Sequence, residues 1–190
     1  MKLIYTASQV REAEKPYIEA ADYDGYLMQR AADAVAAEAQ ELLHGTENAK
    51  ILLLIGPGNN GADTIYAGAR LSAKGHRVDA VIFDPSEKNL ELIAREGGEG
   101  TRVLDPEHTL EHLTGYDLTI DGILGTGSSG AVRGSAGEYL GVLRAAQLDG
   151  KLGAVLAVDT PSGVDNNRGT VHEPSLRADR TVTFIGHKLP

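Results

Sequence analysis

The chain contains no cysteine in 190 residues. That excludes disulfides, thiolate metal sites and a cysteine nucleophile together, and it is compatible with a reducing compartment. Tryptophan is absent as well and aromatic residues reach only 5%, within a composition that is 42% hydrophobic and 24% charged, the profile of a globular protein. Positive charge is in deficit. Eighteen Lys and Arg face 27 Asp and Glu, for a formal net charge of -9, which argues against a nucleic-acid surface, because phosphate binding is driven by Lys and Arg. No apolar run approaches the roughly 20 residues of a membrane span. The opening "MKLIYTASQVREAEK" turns polar before a signal-peptide core develops. The expected setting is therefore the cytoplasm, without membrane or nucleic acid as partner. The length suits one domain with a full core.

Glycine is abundant, at 23 residues, as expected of many tight strand-to-helix turns. The first 45 residues read as helices, one capped at Ser8 with Glu12 in its opening turn. A break at Asp24-Gly25 precedes "YLMQRAADAVAAEAQELL", whose apolar residues recur every three to four positions. From there strands and helices alternate. Strands are expected at 51–55, 77–83, 101–104, 116–125, 153–159 and 179–186. Helices are expected at 62–75, 86–98, 106–115 and 135–150. "ILLLI" (51–55) is too short and too apolar for a surface strand and reads as a buried parallel one. Such alternation implies a parallel sheet covered on both faces, and ligands of these sheets bind beyond the C-terminal ends of the strands. Three glycine-rich segments follow strands in that way: "GPGNNGAD" (56–63), "DGILGTGSSGAVRG" (121–134) and "DTPSGVDNNRG" (159–169). All three are expected on one rim.

Gly56, Gly58 and Gly61 have the G-x-G-x-x-G spacing of a dinucleotide loop, and Asp84 lies about where that fingerprint places its ribose-binding acid. Against a pyrophosphate cradle, Pro57 removes one N–H. Asp63 would set a carboxylate in the first turn of the helix, where it suits the dipole and competes with an anion. Asn59 and Asn60 offer carbonyl oxygens as well as amide donors. Asp121 ends an apolar strand, where an acid is costly unless paired, metal-bound or at the crevice. "GTGSSGAVRG" supplies small residues and free N–H groups, with Arg133 close by. Asp159 ends another apolar strand, and Ser162 follows in a Pro-Ser-Gly turn. Asn60, Asp121 and Ser162 together would be oxygen ligands for a hard cation, and one carboxylate among neutral oxygens suits a monovalent ion better than magnesium. His108, Glu111 and His112 permit a metal pair by spacing, but a solvated helix face is the preferred reading.

Taken in order, "LMQRAADAVA", "GPGNNGAD", "DGILGTGSSGAVRG", "AVDTPSGVDNNRG" and "ADRTVTFIGHK" resemble the YjeF N-terminal domain family, the NAD(P)HX epimerases. The resemblance runs over essentially the whole chain, 1–190, as a single domain. It implies a Rossmann-like three-layer α/β/α sandwich with N-terminal helices and a mostly parallel sheet, a homodimer, and a potassium ion as cofactor. It implies hydrated NADH or NADPH (NADHX, NADPHX) as substrate, with interconversion of the R and S epimers at nicotinamide C6. Carried over residue by residue, the potassium ligands are Asn60, Asp121 and Ser162. The substrate contacts are Asn59, Asn60, Gly61, Ala62 and Asp63, then Gly125, Thr126, Gly127, Ser128, Ser129, Gly130 and Ala131, and Asp159. Asp159 is the first choice for acid–base work and Asp63 the second. An ATP- or ADP-dependent dehydratase is the expected functional partner, either fused after "GHKLP" or separate. The family commonly shows N-N-G-G-D-G where this chain has "NNGADT". A methyl at Ala62 is expected to crowd a ligand, and Ala62 and Thr64 support an alternative: a catalytically silent scaffold domain that binds a nucleotide or protein.

Overall fold

The computed structural model describes residues 4–20, 25–98 and 100–188. The chain opens with β1 (Ile4–Tyr5) and α1 (Ala7–Ile18), then α2 (Tyr26–Leu42), β2 (Lys50–Ile55), α3 (Asn59–Ala73), β3 (Arg77–Ile82), α4 (Glu87–Glu96), β4 (Thr101–Val103) and α5 (Pro106–Leu110). It continues through β5 (Leu118–Gly122), α6 (Gly134–Leu148), β6 (Ala154–Val158), the short β7 (Val164–Asp165) and β8 (Thr170–Val171), β9 (Arg180–Val182) and β10 (His187–Lys188).

Six strands form one sheet in the order β4-β3-β2-β5-β6-β9, all parallel. Direction along the sheet reverses between β2 and β5, so the two central strands carry the crevice where such sheets bind ligands. Ile51 to Ile55 are all fully buried, because helices cover both faces of β2. On one face α2, α3 and α4 close over Val35, Ile65, Leu71 and Leu92. On the other, α6 packs Tyr139, Leu140 and Leu143 against Leu52, Leu54 and Val155. The expected three-layer sandwich is what forms. Among the described residues, no helix is long and apolar enough to cross a membrane.

Several boundaries differ from the sequence expectation. The cap of α1 is Thr6, whose hydroxyl accepts from the Gln9 amide while the Gln9 side chain accepts from the Thr6 N–H; this reciprocal box displaces the Ser8–Glu12 pairing. Asp24 lies outside the described residues, but Gly25 does precede α2, at a φ of 84°. The helix expected at 106–115 is split into α5 and a 3-10 turn at Leu113–Gly115. The 179–186 strand narrows to β9. Two short pairings were not expected at all. β7 and β8 form an antiparallel hairpin, and β1 pairs in parallel with β10, joining residues far apart in sequence that carry no periodic signal.

Candidate active site

A cavity of about 800 Å³ opens at the carboxyl ends of β5 and β6. Its floor comes from the segments after β2, β5 and β6, and its roof from α1, through Val10, Arg11 and Ile18, with Leu27 and Met28 of α2 beside them. The three glycine-rich segments thus share one rim, although the third contributes only its start, since 164–171 turns away into the hairpin.

The first segment is built by close backbone approach. A Cβ at Gly56 would lie 1.9 Å from the Ile123 carbonyl oxygen, and one at Gly61 would lie 2.0 Å from the Gly56 carbonyl oxygen. Nothing lies within 4 Å of the corresponding position at Gly58, which leaves that backbone bare to the crevice. Asn89 of α4, which sequence reasoning left without a role, donates from Nδ2 to the Gly56 carbonyl at 2.8 Å and to that of Gly58 at 3.3 Å. It is buried and clamps the loop. An amide inside an otherwise amphipathic helical pattern was the only available signal.

α3 begins at Asn59 and not at Ala62, so the asparagines belong to its first turn. Asn60 Nδ2 donates to the Val158 carbonyl at 2.6 Å and the Leu124 carbonyl at 3.0 Å. This stitches the ends of β5 and β6 to the helix and leaves Oδ1 against Gly125, where a Cβ would be 2.6 Å away. Asn59 lines the cavity with Lys88 Nζ 3.5 Å from its Oδ1. The early start also corrects the placement of Asp63, which lies beyond the first turn, where the dipole has largely decayed. Its carboxyl is pushed up to about 7, first by burial, then by the charges of Asp159 and Glu14, with Lys88 opposing.

Gly61 and Ala62 do not line the cavity. Gly61 is wedged under Gly56, and Ala62 is fully buried in the core with Ile51 and Leu53. The expectation that the Ala62 methyl crowds a ligand is therefore corrected: the helical register turns it towards the sheet. Thr64 is buried as well. Its hydroxyl donates to the Asn60 carbonyl at 2.8 Å and sits where a Cβ at Gly122 would fall, 1.9 Å away. Both departures from the glycine-rich motif face inward.

Asp121 and Ser162 lie beneath the rim, fully buried. Asp121 accepts from Ser162 Oγ at 2.6 Å, Ser162 N–H at 2.8 Å and Ile123 N–H at 3.3 Å, while Ser162 Oγ accepts from the Leu124 N–H at 3.0 Å. Among the described residues no cationic side chain pairs with Asp121. Burial raises its carboxyl above the ordinary range despite those three donors. A buried carboxylate in no ion pair, bonded to a serine hydroxyl, with the Asn60 amide oxygen left against Gly125 on the same rim, is oxygen chemistry that suits a monovalent cation.

Asp159 follows β6 with φ of 67°, a left-handed conformation that costs a non-glycine residue free energy and clusters at functional sites. The turn points its carboxylate into the cavity, where Oδ2 accepts from the Thr126 N–H at 3.1 Å and Thr183 Oγ1 stands 3.5 Å from Oδ1. Gly125, Thr126, Gly127 and Ser128 line the same cavity. Ser129 and Ala131 instead line a neighbouring one, together with Arg133, and Gly130 lines neither, serving the turn at φ of 87°. His108, Glu111 and His112 are exposed, with potential ligand atoms within 4.8 Å of one another, and take no part in the crevice.

The family model "YjeF-related protein N-terminus" matches residues 25–189. The chain belongs to the YjeF N-terminal family. It is 37% identical over 183 residues to an NAD(P)H-hydrate epimerase of Microbacterium testaceum, covering 95% of this chain and 68% of that protein. It is 33% identical over 192 residues to a bifunctional NAD(P)H-hydrate repair enzyme of Mycobacterium tuberculosis, covering 99% of this chain. This YjeF N-terminal domain spans 38% of the length of that relative. The crystal structure of the yeast protein ynu0 superposes with a TM-score of 0.82 at 20% identity, over 98% of this chain and 82% of that one, which places the YjeF domain in the same fold.

Proposed function

We propose that this domain epimerises hydrated NADH and NADPH at nicotinamide C6, as a step in repair of the damaged cofactor. The observation that carries the reading is the carboxyl pair in one crevice: Asp63 held near neutrality at about 7, and Asp159 fixed by the Thr126 N–H. C6 of the substrate is a hemiaminal carbon beside the ring nitrogen. Expelling its hydroxyl requires a proton on the leaving oxygen, and the nitrogen lone pair then forms an iminium. Re-addition from the opposite face requires a water that loses a proton. Protonated Asp63 donates to the leaving oxygen, and the Asp159 carboxylate stabilises the cation and takes the proton from the incoming water. No electrons leave the substrate, so neither a redox cofactor nor a thiol is called for. The split between two carboxyls in different environments is the pattern that assigns acid and base. The sequence reading ranked Asp159 before Asp63 without dividing the roles; the raised carboxyl favours Asp63 as acid and Asp159 as base.

Asn60, Asp121 and Ser162 would hold a potassium ion, which supplies the positive charge that the buried Asp121 lacks. We further infer a homodimer working in the cytoplasm beside a stereospecific dehydratase that consumes one epimer, on the family resemblance alone.

The test is direct. The R epimer of NADHX is offered with an S-specific dehydratase in potassium buffer, and NADH recovery is followed against the spontaneous epimerisation rate. Recovery no faster than spontaneous sinks the proposal. Asp159→Asn in a folded protein is expected to lower kcat by a factor of about 10² to 10⁴, the usual contribution of a positioned acid or base.

A further inference from the structure

A second cavity, of about 340 Å³, lies across the ridge formed by Pro57, Ile123 and Leu124, which are shared with the larger one. Phe83 and Asp84 form one wall, and Ala131 and Arg133 lie on another. Both volumes fall within the range of small-molecule sites. Asp84 stands at the carboxyl end of β3, the strand next to β2 in the sheet, with a left-handed φ of 44°. Its side chain is exposed and, among the described residues, in no ion pair.

We propose that this second cavity holds the adenosine end of the dinucleotide, with Asp84 hydrogen-bonded to the ribose hydroxyls, so that the domain favours NADHX over its 2′-phosphorylated counterpart. The inference rests on the reading that the ligand is a hydrated dinucleotide. With the nicotinamide end beside Asp63 and Asp159, a ligand crossing the ridge passes over Gly58, whose backbone is bare to solvent and admits a pyrophosphate to close range. Its far ribose then reaches the end of β3. In parallel sheets with this strand order an acid at that position accepts from the ribose 2′-hydroxyl. A 2′-phosphate would replace a hydroxyl donor by two further negative charges at hydrogen-bond range of the Asp84 carboxylate. Arg133, at the start of α6, lines the same cavity, and a guanidinium stacked on the adenine would add to binding.

Calorimetry with ADP-ribose and 2′-phospho-ADP-ribose tests this without requiring turnover. The wild-type protein is expected to bind ADP-ribose at least tenfold more tightly than the 2′-phospho form, and Asp84→Asn to narrow that gap to under threefold. Asp84→Gly, which adopts the left-handed turn freely, is the second variant should the first misfold. A wild-type gap that is absent or reversed, or one that neither variant changes, overturns the proposal. Failure of the epimerase reading is visible separately: a protein that shows the expected gap and does not accelerate NADHX epimerisation keeps this cavity and loses that function.

Discussion

Asp63→Asn isolates the cost of the proposed acid. The substitution keeps the shape of the side chain and removes its titration. In the folded protein the carboxyl rises from 3.8 to about 7, which at about 1.4 kcal/mol per pH unit makes the ionised form about 4 kcal/mol more costly in the native state than in the unfolded chain. The native state therefore holds the proton where the unfolded chain has already released it. Wild-type stability falls as pH rises between about 4 and 7, with the full cost present above that window. The variant has no such cost. Paired urea unfolding at pH 4 and pH 8 should find the two proteins within about 1 kcal/mol at the lower pH. At the higher pH the variant should be more stable by up to about 4 kcal/mol. The same substitution should reduce epimerisation at pH 7 by a factor of about 10² or more, so one residue trades stability for activity. A stability difference that is equal at the two pH values would refute the argument, because it would mean that Asp63 ionises in the native state as freely as in solution.

Potassium should stabilise the wild-type domain relative to tetramethylammonium, by about 2.7 kcal/mol when the ion reaches a hundred times its Kd, and thermal unfolding in the two salts measures this. Asp121→Asn should abolish the difference while leaving a folded protein, and persistence of the potassium effect would place the ion elsewhere. Gly122→Ala drives a Cβ into the Thr64 hydroxyl, 1.9 Å away, and is expected to cost about 1–3 kcal/mol as overpacking does. Adding Thr64→Gly removes the side chain in its path and leaves only the Asn60 carbonyl oxygen, at 3.1 Å, so the double variant should be more stable than additivity allows, and a coupling energy near zero in the double-mutant cycle would contradict this packing.

Much of the sheet is legible in the amino-acid sequence, because a buried parallel strand such as Ile51–Ile55 needs apolar residues on both faces and leaves an unbroken run. The rim is legible for a related reason: acids and asparagines that follow such runs have no structural excuse unless they serve a site. Start points are less legible. Asn59 and Asn60 read as loop because their side chains favour turns, yet the backbone is already helical there, and that shift of one turn moves Asp63 out of the strongest part of the helix dipole. Orientation is the least legible. Ala62 and Thr64 look like intrusions into a ligand loop, and only the helical register decides that both face the sheet. The Asn89 clamp depends on a contact spanning 33 residues, and β1–β10 on one spanning nearly the whole chain. Neither leaves a local pattern.

That last pairing has a mechanical meaning. Tyr5 lies against Gly186, where a Cβ would be 2.5 Å from its ring, and two residues after Tyr5 the chain enters α1, which roofs the larger cavity. The roof and β10 are therefore moored to the same two-strand ladder. The ladder thus acts as a pin for the entrance: what braces β10 braces the roof, and what pulls it loose frees a helix that, together with α2, lines the crevice.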